Sequence, residues 1–199
     1  MSQQTVLRAV NYPRMPWKNG GGSTEEITRD AGVGLDGFGW RLSIADIAES
    51  GGFSTFNGYQ RIITVLQGAG MTLQVDGQTT RPLLPFDPFA FSGESQVACT
   101  LLDGDIRDFN LIYAPDRYSA RLQWIDLQQP LRLFSSANSV LLFSAGDGLS
   151  ATIGERQTEV LGKHDCLQLD GNQGLLEIVL QGSAGRCCLI ELTALSASD

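Results

Sequence analysis

Three stretches of this 199-residue chain carry side chains whose types and spacing suit chemistry. The first is Pro16-Trp17-Lys18-Asn19-Gly20-Gly21-Gly22-Ser23-Thr24-Glu25-Glu26. Three consecutive glycines let backbone N–H groups approach a ligand or a neighbouring strand closely. An indole, an ammonium, an amide and two hydroxyls surround them, the parts of a binding loop or of a plain surface loop. The second runs from Gly51 through Phe53, Ser54, Phe56 and Tyr59 to Arg61, then into Ile62–Leu66 and Gly68. The third is Asp108-Phe109-Asn110-Leu111. On a strand, Asp108 and Asn110 share one face while Phe109 and Leu111 share the other. Such a polar pair lines either a cavity or an outer surface. Catalysis would need a proton-transfer group, for which Lys18, Glu26 and Asp108 are the candidates.

Other chemistries are poorly served. His164 is the only histidine, and Gly162-Lys163-His164-Asp165 reads as a turn rather than as part of a nucleophilic triad. Transition-metal sites normally use several His or Cys ligands, so no metal is expected. Cys99, Cys166, Cys187 and Cys188 include no Cys-x-x-Cys and read as buried apolar fillers rather than disulfides. Gly32-Val33-Gly34-Leu35-Asp36-Gly37 matches the dinucleotide fingerprint, yet Phe38-Gly39-Trp40 and an alternating strand follow it instead of a helix. It reads as a glycine-rich connection. With no Gly-x-Ser-x-Gly elbow and no phosphate loop, no cofactor is expected.

Fourteen Lys and Arg against 22 Asp and Glu give a net charge of −8. That balance repels phosphate backbones and anionic lipid, so neither nucleic acid nor a membrane is an expected partner. No run approaches the 18 apolar residues of a membrane span, and MSQQTVLRAV lacks the layout of a secretion signal. A cytoplasmic protein is expected, and nothing in the sequence decides between a monomer and a homodimer.

The elements that must position these residues are strands. Trp40–Ile44 alternates apolar and polar residues, the period of a half-buried strand. Gln60–Gln67, Met71–Val75, Gln78–Arg81, Val97–Leu102 and Ile106–Tyr113 follow, with Asp76-Gly77 as a hairpin turn. Tyr118–Leu127 suits a strand or a short helix. A second series comprises Val140–Ser144, Ser150–Ile153, Thr158–Leu161, Cys166–Asp170, Leu175–Gln181 and Cys187–Leu192. The series echo each other: Leu66–Leu73 matches Phe143–Ser150, Asp76-Gly77 matches Ile153-Gly154-Glu155, and Leu83–Ala90 matches Leu161–Leu169. The expectation is an all-β chain with little helix, a small barrel duplicated. Residues 1–126 would form the barrel with the site, and 127–199 a second, degenerate barrel packed closely on it.

The spacing from Ser54 through Phe56 and Arg61 to Gly68 resembles the first cupin motif, His-x-His, four residues, Glu, six residues, Gly. Ser54, Phe56 and Arg61 occupy three metal-ligand positions of that motif, and the fourth falls near Gln96. More specifically, the chain resembles the HutD/Ves family of duplicated cupins. The resemblance rests on Pro16-Trp17-Lys18-Asn19-Gly20-Gly21-Gly22-x-Thr24-x-Glu26-Ile27, Trp40-Arg41-Leu42-Ser43-Ile44-Ala45, Gly52-Phe53-Ser54-x-Phe56-x-Gly58-x-x-Arg61 and Asp108-Phe109-Asn110-Leu111. It implies a jelly-roll bicupin and a setting in bacterial histidine utilisation, without a reaction.

Arg61 then stands where metal-bearing cupins keep an acid. A guanidinium in a semi-enclosed cavity is costly unless it meets an anion or fixed acceptors, and its planar fork suits a carboxylate. The expected ligand is a small carboxylate metabolite of the urocanate or formylglutamate type. Arg61 would anchor it, Asn19, Thr24, Ser43, Asp108 and Asn110 would add hydrogen bonds, and Trp17 or Trp40 a flat wall. An internal Arg61–Asp108 or Arg61–Glu26 pair is the purely structural alternative. Three roles stay open: a binder that senses or buffers a metabolite, a metal-independent isomerase, lyase or hydrolase, and a protein-interaction scaffold.

Overall fold

The computed structural model describes residues 3–17, 20–32 and 37–196. The strands are β1 (Gln3–Leu7), β2 (Arg14–Pro16), β3 (Gly22–Arg29), β4 (Trp40–Ile47), β5 (Gly51–Gly52), β6 (Gln60–Gln67), β7 (Met71–Val75), β8 (Gln78–Thr79), β9 (Phe89–Ser92) and β10 (Val97–Leu101). They continue with β11 (Ile106–Tyr113), β12 (Tyr118–Asp126), β13 (Leu131–Ser135), β14 (Ser139–Ser144), β15 (Leu149–Ile153), β16 (Arg156–Gln157), β17 (Cys166–Asp170), β18 (Leu176–Gly182) and β19 (Arg186–Ala194). Among the described residues the one helix is a 3-10 turn, Ala9–Asn11, and no helix is long and apolar enough to cross a membrane. The chain is all-β.

It divides into two compact units, Tyr12–Asp116 and Met1–Asn11 with Arg117–Asp199. This differs from a sequence boundary at 126/127 at both ends. Strand β12 pairs with β19 along its whole length, from Tyr118↔Ala194 to Asp126↔Arg186. Strand β1 pairs with β17. Such long-range pairings leave no local mark in composition, whereas the sequence boundary follows the echo between the two strand series.

In the 12–116 unit a six-stranded sheet has the order β2-β3-β4-β11-β6-β9 and a four-stranded sheet the order β5-β10-β7-β8. Between them lies an apolar cluster that includes Ile47, Ile63, Val65, Met71, Leu73 and Val97. In the other unit the sheets are β1-β17-β14-β19-β12 and β13-β18-β15-β16. Substituting β4, β11, β6 and β9 by β12, β19, β14 and β17 maps four consecutive strands of one large sheet onto four of the other, with β2 and β3 on one side and β1 on the other left unmatched. The smaller sheets match in the same way, β5, β10, β7 and β8 by β13, β18, β15 and β16. Local detail repeats as well. Thr80 Oγ1 accepts from Leu73 N and Thr158 Oγ1 from Ala151 N, while Met71↔Leu83 and Leu149↔Leu161 form equivalent isolated bridges.

The echoes seen in the sequence therefore fall at like places. The Asp76-Gly77 turn has φ of 49° and 83°, the type I′ geometry that suits a two-residue hairpin. Thr158–Leu161, expected as a strand, is irregular with one bridge at Leu161. Of the stretch 16–26, expected as a loop, the residues from Gly22 onward belong to β3, and the 118–127 ambiguity resolves as the strand β12. Gly68, which closes the cupin-like spacing, has φ +101°, and a Cβ there would stand 2.5 Å from Asp105 O. That position requires glycine.

Candidate functional site

Register places the site residues in rows across one face of the large sheet, because directly paired residues share a face. The first row holds Arg29 and Arg41, then Ile112 with Arg61, then Phe91. The next holds Glu26, Ser43, Asn110 and Ile63. The third holds Thr24, Ala45, Asp108 and Val65. Successive rows on a strand face lie roughly 7 Å apart. The face thus runs from guanidiniums, through an amide and a hydroxyl, to a carboxyl group.

Arg61 is 5% exposed, and its Nη1 donates to Ser54 O at 3.0 Å. Three phenyl rings surround its guanidinium: Phe91 at 5.0 Å, Phe56 at 5.4 Å and Phe53 at 5.5 Å. Such contacts stabilise a desolvated cation by about 1–2 kcal/mol. Phe53 and Phe56 come from the segment linking β5 to β6, whose backbone is held by Phe53 N donating to Val97 O and Phe56 N to Gly93 O. Burial lowers the Arg61 pKa to about 10, with Asp108 opposing the shift and Arg41 adding to it, so the group stays charged at neutral pH.

Asp108 is 1% exposed. Burial pushes its carboxyl up to about 7 against the attraction of Arg61 and a hydrogen bond from Thr64 N–H. No ion pair joins Arg61 to Asp108 among the described residues, so the internal Arg61–Asp108 pair is absent as a direct contact. The Arg61–Glu26 pair is absent too, for Glu26 is held elsewhere. It accepts from Arg41 Nε at 2.6 Å and from Arg29 Nε at 2.7 Å, with a second, very short contact to Arg29 Nη2. Burial raises the Glu26 pKa, but the bonds from Arg29 and Arg41 outweigh it and the net shift is downward. Glu26 is therefore a fixed anion rather than a group that exchanges protons near neutrality.

Several buried polar atoms have no partner among the described residues: Arg61 Nε, Arg29 Nη1, Asp108 Oδ1 and Asn110 Oδ1. All four belong to this face. Leaving such a group unpaired costs about 1–3 kcal/mol.

The sequence-expected residues separate into groups. Arg61, Ser43, Asp108 and Asn110 come together on the face, with Glu26 beside them. Thr24 shares the third row, but its hydroxyl accepts from Trp17 Nε1 at 2.8 Å. Trp17 sits beyond that row, at the end away from the arginines. A Cβ on Gly22 would stand 3.0 Å from its ring, so the glycine run serves a tight β2–β3 hairpin and the seating of an indole. Trp17 and Phe53 line a small cavity of about 40 Å³, and Arg61 does not border it. Trp40 is no wall of the site. It pairs with Tyr113, and alternation turns it to the opposite face with Leu42, Phe109 and Leu111. Gln96 is exposed on a turn, while Val97 and Cys99 are the inward residues of β10, so Gln96 takes no ligand position. Lys18 and Asn19 lie outside the described residues. Sequence reading overlooked Arg29, Arg41 and Phe91. The parity of Arg41 with Ser43 could have found the second, whereas the other two depend on a bulge in β3 and on the β6–β9 pairing.

A metal ion does not fit the cupin-like positions. Phe56 offers no donor atom, Arg61 is itself a cation, and Arg41 adds a second positive charge to the same row.

Similarity to solved structures first gives the class. The Escherichia coli pirin YhhW, whose structure holds nickel(II), superposes with a TM-score of 0.70 over 97% of this chain and all of that one, at 11% identity. The fold is cupin-like. The chain belongs to the HutD family, whose model matches residues 9–188. It is 69% identical over 192 residues to an uncharacterized 21.2 kDa protein in the hutC 3′ region of Pseudomonas putida, covering 96% of this chain and 98% of that one. Protein Ves of Citrobacter koseri is 36% identical over 65% of this chain and 67% of its own. HutD of Pseudomonas fluorescens SBW25, determined in a formate condition, shares 64% identity and a TM-score of 0.86 over 98% of this chain and all of that one.

Proposed function

We propose that the 12–116 unit binds a small carboxylate metabolite on the Arg61 face and acts as a sensor, buffer or regulator in histidine utilisation. The observation that carries this is Arg61 Nε, a buried N–H donor on a charged guanidinium with no partner among the described residues. Its surroundings favour an anion: Arg29, Arg41 and Arg61 share one row, and Glu26 balances only part of their charge. The P. putida relative's place in the hutC 3′ region agrees with a carboxylate of that pathway, of the urocanate or formylglutamate type. The protein works without a metal or cofactor, in the cytoplasm, with neither nucleic acid nor membrane as partner. The matching strand orders of the two units support a duplicated, bicupin origin, in which the 117–199 unit has filled its interior with Leu142, Leu149, Leu167, Ile178 and Leu180.

A ligand reaches Arg61 by displacing the rings of Phe53 and Phe56, whose segment is otherwise exposed at Ser54, Thr55 and Asn57. One observation favours catalysis as a second reading. Asp108 titrates near 7, where a buried carboxyl can both give and take a proton. Isothermal titration with urocanate and formylglutamate, comparing wild type with Arg61→Met, tests the binding role. Affinity should fall tenfold or more in a variant that melts normally. Equal affinity removes Arg61 from the site, and turnover of either compound that Asp108→Asn abolishes establishes the enzymatic reading instead.

A further inference from the structure

A carboxylate alone satisfies only half of this face. It meets the donors of the guanidinium row, Arg61 Nε and Arg29 Nη1, but the unpartnered atoms one and two rows further on are acceptors, Asn110 Oδ1 and Asp108 Oδ1. Both belong to side chains more than nine-tenths buried, at 7% and 1% exposure. Asn110 and Asp108 are two residues apart on β11, so they project from the same face in line with the guanidinium row. An all-acceptor anion lying along this line would leave Asp108 Oδ1 desolvated and unpaired, at about 1–3 kcal/mol, whichever way the Asn110 amide is turned.

We infer that the ligand of this face carries an N–H or O–H donor in addition to its carboxylate, the carboxylate lying toward Arg61 and the donor toward Asn110 and Asp108. This rests on the carboxylate reading above and deepens it, making the donor that acids of the urocanate or formylglutamate type carry a requirement of the site. Formate or acetate would then fill only the guanidinium end. Discrimination follows from the same geometry, since a site built to accept a hydrogen bond rejects an isostere that lacks the donor.

The charged groups facing Asp108 set the sign of its pH dependence. They are Arg61 from β6, which attracts it, and, bonded to each other, Arg41 from β4 in the Arg61 row and Glu26 from β3 in the middle row. From the opposite sheet β10 presents Cys99, whose thiol burial holds above its usual pKa and therefore neutral. A ligand donor is met best by ionised Asp108, so the gain from the donor grows as pH rises through about 7.

The test is calorimetric titration with matched probes: N-acetylglycine against 4-oxopentanoate, which differ only by N–H in place of CH2, and the one-carbon-longer pair N-acetyl-β-alanine and 5-oxohexanoate. Wild type should bind at least one N–H member tenfold or more tighter than its ketone partner, with the ratio larger at pH 8 than at pH 6. Asp108→Asn keeps an acceptor, so the preference should persist while its pH dependence disappears. Equal affinity within both pairs, with Arg61→Met abolishing both, overturns the donor requirement and leaves the carboxylate site standing. A ratio that falls with rising pH overturns it too, because Asp108 would then be giving its own proton to the ligand. No binding of any probe or of the metabolites named above removes both inferences.

Discussion

Replacing Asp108 by Asn should reshape how stability depends on pH. Burial, outweighing the attraction of Arg61 and the Thr64 N–H, moves this carboxyl from 3.8 to about 7 in the folded protein. In the unfolded chain it titrates near the ordinary value. Between those limits the folded state holds a proton that the unfolded chain has released. The stability Asp108 contributes is therefore complete below about 3.8 and is lost as pH climbs to about 7, after which it is constant. At about 1.4 kcal/mol per pH unit the loss sums to about 4 kcal/mol. Asparagine is nearly isosteric and does not titrate. The difference in unfolding free energy between Asp108→Asn and wild type should then move by about 4 kcal/mol in the variant's favour from pH 4 to pH 8. The value at any one pH also contains the cost of leaving Arg61 without its counter-charge, but the slope does not. Urea unfolding followed by tryptophan fluorescence at half-unit pH steps measures it. A difference that stays flat across the window would refute both the burial of an ionisable Asp108 and its part in the site.

Other perturbations separate stability from binding. Arg61→Met exchanges a desolvated cation that makes no ion pair within the described residues for an apolar chain among three phenyl rings, so its melting temperature should equal or exceed that of wild type while carboxylate affinity collapses. Glu26→Gln leaves Arg41, 4% exposed, without its anion, and should cost on the order of 3 kcal/mol in thermal or chemical unfolding. Phe56→Ala removes one ring from over Arg61 and should raise the stopped-flow association rate of a carboxylate more than it raises the dissociation constant. Gly68→Ala forces a side chain into a left-handed backbone against Asp105 O, and a loss of about 2 kcal/mol should appear as a lowered melting temperature.

The strand skeleton was legible where side-chain period and turn chemistry agree. Gln60–Gln67, Met71–Val75 and Ile106–Tyr113 are strands with those limits, since each alternates or runs apolar between Gly, Asp or Asn turns. The strand β3 was hidden because its polar residues Ser23 to Glu26 and Thr28 look like a loop, and only pairing with β2 and β4 orders them. Strands β1, β5 and β9 are likewise made by partners distant in sequence. At the site, parity carried most of the information. It joined Asp108 to Asn110 from sequence alone, and applied to β4 it would have separated Trp40 from Ser43 and admitted Arg41. What no local pattern could give was the phenyl cage around Arg61, which assembles Phe53 and Phe56 from a turn and Phe91 from β9.

The central claim is that the Arg61 side chain receives a carboxylate, and its own Nε–H reports that most directly. In 15N-labelled protein the Arg61 Nε–H resonance, identified by its loss in Arg61→Lys, should shift saturably as formylglutamate or urocanate is added, with a dissociation constant matching calorimetry. A resonance that stays fixed while either compound binds would place the ligand elsewhere and contradict the account.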